Sequence, residues 1–326
     1  MAASPGPEVA QVVAPPDRVS LGHAVNALYT SHDPTTRSAA DEWLQSFLRS
    51  DIAWPLSIQL LSNATDLTSL EALFCARALH VLLRKSVVKP RATQASHAVL
   101  VEDDWVNMRS ALLALAWNFS VKGVLPNGGV NGGANGGANG GMNSANANCT
   151  NEAPPRTVLT QVSLAISVLA CKMVSWSADG IVTDLITHFT GIGENGDRIN
   201  APTSAKEIVS RWMEGNTPND PDQHLRLDTD QHAFGEHLLA TAGEQCLISI
   251  LAVLPESCHS KELSIHPARR AEVGEGLKKA ATPIVFPTLD LLAAKAFEGS
   301  NGGGFHDTAP KEHHARASTL NACAAW

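Results

Sequence analysis

A chain of 326 residues, 44% of them hydrophobic, can bury a sizeable core and exceeds the length at which a single core stops growing, so several domains or a solenoid are expected. Its formal charge of -8 and sequence pI near 5.9 oppose nonspecific binding to nucleic acid or to an anionic membrane and favour a basic protein partner. The six cysteines form no C-x-x-C pair, and Cys75, Cys171 and Cys246 lie in apolar helical patterns, which points to reduced, buried thiols in an intracellular protein.

Taken in order, the chain reads as helices joined by short breaks. After a Pro- and Ala-rich leader over residues 1–17, Leu21, Val25 and Leu28 mark a first helix. Asp33-Pro34 is a cap followed by a proline in the first turn, and it launches a second helix carrying Ala40, Trp43, Leu44, Phe47 and Leu48. A third near Trp54 holds Ile58 and Leu61 on one face, with Pro55 tolerable only in its first turn. The fourth spans about 67–88, with Leu70, Phe74, Ala78 and Val81 on one side and Leu79, Leu82 and Leu83 on another, and Pro90 ends it. A fifth follows Asp103-Asp104 and presents Trp105, Leu112 and Ala116 beside Val106, Leu113 and Trp117.

Residues 126–148 form a Gly/Asn tract built on NGGV, NGGA and NGGM units; such a composition has no face to bury, so a disordered insertion is expected near 124–156. The stretch over 157–176 then carries Leu159, Val162, Ile166, Leu169 and Met173 at steps of three and four. With Ala165, Ala170 and Cys171 it is apolar over more than half its circumference, leaving Gln161 and Lys172 as its strongly polar positions. Such a helix belongs between neighbours on at least two sides.

Ile181, Leu185, Ile186 and Phe189 continue at helical spacing. A second polar insertion near 191–236 reads as loop, with a helix only over 205–213. Leu239, Ala242, Cys246, Ile250 and Val253 form a clean helix, and Val273, Leu277 and Ile284 begin another. Pro283 and Pro287 should break or kink that one, at about 3 kcal/mol each for an interior position. A Gly tract over 299–304 precedes a last helix ending at Trp326. With the two insertions set aside, the helices pair into antiparallel hairpins at intervals of roughly 40 residues, the period of HEAT-type repeats. The expected fold is all-α, an α-solenoid superhelix of HEAT-like helix pairs over 18–326; an irregular helical bundle stays open.

Several apparent chemical motifs lack their structural context. Gly191, Gly193 and Gly196 satisfy G-x-G-x-x-G, but no strand precedes them and no phosphate-binding helix follows. His224, His232 and His237 among Asp220, Asp222, Asp228 and Asp230 read as a solvated acidic loop, as does Glu312-His313-His314. No nucleophile, base and orienting acid can be assembled, so neither an enzyme nor a bound cofactor or metal is expected. No run reaches the length of about 18 apolar residues that a membrane span needs, and residues 1–16 do not resemble a signal peptide.

The segments AADEWLQSFLRSDIAW, TVLTQVSLAISVLACKMVSW and ILAVLPESCHSKELSIHPARRAEV resemble, in the same order, the N-terminal third of the importin-β superfamily of nuclear transport receptors (karyopherins), closest to the transportin-SR and importin-thirteen branch. The resemblance implies a HEAT superhelix that shuttles between cytoplasm and nucleus and whose N-terminal region binds the Ran GTPase in its GTP form. It further implies phenylalanine-glycine nucleoporins met by outer helices, and protein cargo such as Arg/Ser-rich splicing factors carried further along the concave surface. Family members are much longer, so a fragment or an incomplete gene model is expected here.

The stretch FCARALHVLLRKS resembles the family's Ran-facing helix, which makes Arg77, His80, Arg84 and Lys85 candidate Ran contacts, with Gln161 on the following inner helix. Arg84 and Lys85 also suit a helix C-terminus simply as solvated cations. Arg269 and Arg270 match a family Arg-Arg pair expected to tie the ELSIHP loop to the adjacent helix. A HEAT scaffold or regulatory subunit of another assembly would share this architecture and lack RanGTP binding.

Overall fold

Aspartates open the first two helices. In the computed structural model, which describes residues 17–63, 67–86, 102–124, 155–190, 203–215, 224–298, 319 and 321–326, the Asp17 carboxylate accepts from the Ser20 N–H at 2.8 Å and starts α1 (Arg18–Thr30). Asp33 accepts from the N–H groups of Thr35 and Thr36 at 3.2 and 3.0 Å, and from both hydroxyls, ahead of Pro34 in the first turn of α2 (Pro34–Phe47). Those donors hold its carboxyl far below the usual range. A capping box of Thr68 and Glu71 opens α4 (Ser69–Lys85), after α3 (Ala53–Ser62) with Pro55 in its first turn. Each cap contributes about 1 kcal/mol.

The remaining elements are α5 (Glu102–Val124), α6 (Pro155–Lys172), α7 (Ile181–Thr190), α8 (Thr203–Gly215), α9 (His224–His259), α10 (Pro267–Ala280), a π-helical turn (Ala281–Val285) and α11 (Phe286–Glu298). No strand occurs among the described residues, so the fold is all-α.

Three boundaries differ from the sequence reading. α4 stops at Lys85, where Ser86 turns extended and caps it, so Pro90, outside the described residues, is not its terminator. α6 stops at Lys172, and Trp176 lies in the turn beyond. The backbone is helical from His224, about three turns before the expected end of the polar insertion near 236. The Gly/Asn tract over 126–148 lies outside the described residues. The break expected at Pro283 and Pro287 is a shift of register: the Phe286 N–H reaches back five residues to the Ala281 carbonyl, which lets the chain pass a proline that has no N–H to give.

α6 packs against α4, α5 and α9, and its buried residues, from Val158 and Leu159 through Val162, Ile166 and Leu169 to Cys171, run around the whole helix. The sandwiched position expected from its periodicity is thus what the structure has. α9 lies close against α5 and α7. The Ser120 hydroxyl donates to the Ala242 carbonyl at 2.7 Å, and a Cβ on Gly243 would come within 2.0 Å of the Phe189 carbonyl oxygen. A glycine inside a helix costs about 1 kcal/mol relative to alanine, and here it is what permits the approach.

The stretch His237–His259 is long and apolar enough, with a mean hydropathy of 1.6, to cross a membrane, which corrects the expectation that no run would qualify. In the fold its apolar residues Leu238, Ala242, Cys246, Leu247, Ile250 and Leu254 are core. Cys75, Cys171, Cys246 and Cys258 are buried free thiols.

Pro255 lies inside α9 and cannot donate to the Leu251 carbonyl. The Trp326 indole N–H fills that role at 2.8 Å. Trp326→Phe keeps an aromatic ring and removes the donor, so with some loss of packing it should cost at least about 1 kcal/mol in urea denaturation.

Candidate partner-binding face

Arg77, His80 and Arg84 follow one another at steps of three and four along α4 and so share a face. Arg77 is exposed, whereas His80 and Arg84 are half-buried. Gln161, half-buried on α6, lies near the His80 ring across the helix pair. Burial, and then the positive charges of Arg84 and Arg77, push the His80 pKa down, with the nearby Gln161 side chain opposing them. The imidazole is therefore neutral at pH 7, and the cluster's charge resides on the two arginines.

Arg84 is ion-paired to Glu262, in the loop that follows α9. With side-chain exposures of 34% and 72%, this pair is screened and weak, so an incoming carboxylate can exchange for Glu262. Lys85, the last residue of α4, is exposed and sits about 100° around the helix from Arg84. Four of the five candidate residues thus come together, and Lys85 stands apart.

The end of α4 is closed by a residue the sequence reading marked only as a polar position of α6. Lys172 is buried, at 2% exposure, and its Nζ donates to the carbonyls of Leu83, Arg84 and Ser86 at 2.7, 2.9 and 2.6 Å. Burial, and then Arg84, bring its pKa down to about 8, which leaves it charged at neutral pH. Arg269 of α10 does the same for α6: its Nη2 donates to the carbonyls of Met173 and Trp176, both at 2.6 Å, and to Ala170 at 3.3 Å. Arg270 donates to the Leu263 carbonyl at 2.8 Å and so ties the loop to α10, the role expected of the pair.

A second polar cluster went unseen in the sequence because its members are scattered. Arg109 of α5 lies 4.8 Å over the Trp176 ring, and the indole N–H donates to Asp184 of α7 at 3.0 Å. Leu113, Leu185, Thr187 and His188 complete the walls of a cleft of about 190 Å³.

Among the described residues no group of three or more His, Cys, Asp or Glu side chains converges to hold a metal. His237 is exposed; the other side chains of the His/Asp stretch, the 191–196 glycines and Glu312-His313-His314 lie outside what the structure describes.

The depressed pKa of His80 has a signed consequence. The unfolded chain takes up a proton near pH 6.5 while the folded chain does not, so the stability tied to the neutral ring is complete above about 6.5 and is lost as pH falls toward the lowered folded value. Between pH 7.5 and 5.5 the melting temperature of the native chain should fall further than that of His80→Gln. Parallel profiles would remove His80 as a titrating group. His188, lowered by burial and then by Arg109, acts in the same direction and is unchanged in both proteins.

No protein-family model matches the chain.

Proposed function

We propose that this chain is part of a nuclear transport receptor of the importin-β type, an α-solenoid of HEAT-like pairs that binds Ran in its GTP form and serves import of protein cargo. The observation that supports it most is the face shared by α4 and α6, the second helices of successive pairs, where Arg77, His80, Arg84 and Gln161 gather on an otherwise acidic chain. Such a face suits an acidic partner surface, while the net charge of -8 suits basic cargo such as Arg/Ser-rich splicing factors. Phenylalanine-glycine nucleoporins are assigned to the outer helices, and the receptor shuttles between cytoplasm and nucleus. The importin-β resemblance of the three segments supplies the partners' names, and the shared face supplies the chemistry.

The Arg84–Glu262 pair favours a second reading, in which this face is closed within a HEAT scaffold and Ran binds in neither nucleotide state. A pull-down of the chain with Ran loaded with a nonhydrolysable GTP analogue, against Ran loaded with GDP, separates the two. Transport predicts retention of the GTP form only, weakened about tenfold by Arg77→Glu and reduced by salt. Equal retention of both forms, or none, sinks it.

A further inference from the structure

Gly274 stands in the interior of α10, where no contact among the described residues requires a glycine. Two other helical glycines differ. A Cβ on Gly276 would lie 2.5 Å from the Ala178 carbonyl oxygen and one on Gly243 2.0 Å from that of Phe189, so both permit a close approach. A Cβ on Gly274 would meet nothing within 4 Å. Glycine inside a helix is unfavourable relative to alanine because it loses more backbone freedom on folding, so this position keeps a space open at a cost to its own helix.

The space is a groove of about 460 Å³ between α10 and the end of α9. Pro267, Ala271, Gly274 and Lys278 line it at steps of three and four, on a different face of α10 from the one that buries Val273, Leu277 and Ala280. The first three make a floor of small residues. Ile265, in the loop before α10, and His259, the last residue of α9, complete the walls.

The charge beside that floor is an arginine without a counter-ion. Arg269, Lys278 and Lys279 have carboxylates at 3.1, 2.8 and 3.5 Å, from Glu272, Glu275 and Asp179 respectively. Among the described residues Arg270 has none within that range. Its Nη2 donates to the Leu263 carbonyl at 2.8 Å, which holds the guanidinium half-buried at the groove and leaves its other N–H groups to donate elsewhere. Glu275 also lines the groove, but Lys278 neutralises it, and with exposures of 63% and 72% the two exchange readily with other charges.

We propose that this groove is a docking site for an acidic segment of a partner protein. The segment lies extended across Gly274, where the missing side chain admits its backbone, with a carboxylate on Arg270 and an apolar side chain against Ile265, Pro267 and Ala271. Arginine is suited to that role because its fixed fork of donors matches a carboxylate. The apolar floor gives a bare anion nothing to hold, and one unpaired guanidinium on a chain of net charge -8 is too little for a polyphosphate backbone. The groove shares no residue with the face of α4 and α6 and does not rest on the transport reading.

The test uses the full chain and a fluorescein-labelled six-residue peptide alternating aspartate and leucine, with a lysine–leucine peptide as control, followed by fluorescence anisotropy. Saturable binding of the acidic peptide alone is expected. Gly274→Leu places its side chain in the groove, where nothing in the fold obstructs its Cβ, and should weaken binding by at least about tenfold while the chain stays folded. Arg270→Gln should weaken it by about tenfold through loss of a charge-assisted bond, and Arg77→Glu should leave it unchanged. Gly274→Ala should raise the melting temperature. The proposal is overturned if the acidic peptide does not bind, if Gly274→Leu binds it as the native chain does, or if Arg77→Glu is the variant that loses it. It is also overturned if the lysine–leucine peptide or a single-stranded oligonucleotide binds equally well, if inorganic phosphate displaces the peptide at equal concentration, or if Gly274→Ala lowers the melting temperature. Should Arg270→Gln fail to fold, Gly274→Leu decides alone.

Discussion

Ile166→Asp unfolds the middle of the helix stack. The side chain is 1% exposed on a helix that touches α4, α5 and α9 at once, so an aspartate there has no route to water. The substitution removes a buried aliphatic group worth about 2–3 kcal/mol and adds a carboxyl that must be buried neutral or charged without a partner. A loss of at least about 5 kcal/mol is expected, at or near the whole stability of an ordinary domain. Circular dichroism in a urea titration should show the transition shifted below 1 M denaturant or absent, whereas Gln161→Ala, at a half-buried polar position, should cost no more than about 1 kcal/mol. An unchanged midpoint for Ile166→Asp would mean that α6 is not the core element its burial makes it.

That α6 is central could be read in the sequence, because repetition of apolar residues at steps of three and four on more than one face has few other meanings. The Asp33-Pro34 start of α2 was equally legible, since cap chemistry is local. What depends on a distant neighbour was not. Gln161 was picked for its polarity, but its neighbour His80 lies on a helix separated from it by the Gly/Asn tract. Arg109, Trp176, Asp184 and His188 come from two helices and a turn, and no spacing rule groups them. The proline break was foreseen, yet its form was not, because whether a helix kinks, stops or slips to a π-turn depends on what packs beside it.

Lys172 depends on a distant neighbour in the same way and carries the second large effect. Its polarity was legible, but the carbonyls it serves close α4, not its own helix, and nothing in the local spacing points to them. Lys172→Met preserves the length of the stem and removes the ammonium, which leaves the carbonyls of Leu83, Arg84 and Ser86 without this donor. The bond to Leu83 is buried, so that carbonyl bears most of the desolvation penalty; those to Arg84 and Ser86 are partly buried, and water can replace some of what is lost. Relief from burying a charge offsets a further part. The net loss should be about 2–3 kcal/mol by urea denaturation, against less than about 1 kcal/mol for truncating an exposed lysine such as Lys85. Because the same carbonyls fix the end of the helix that carries Arg84, Lys172→Met should also weaken retention of GTP-loaded Ran under the transport reading, although Lys172 itself is buried from any partner. A variant that lost stability and kept full retention would separate the cap from the face; one that lost neither would show that the three carbonyls do not depend on the lysine.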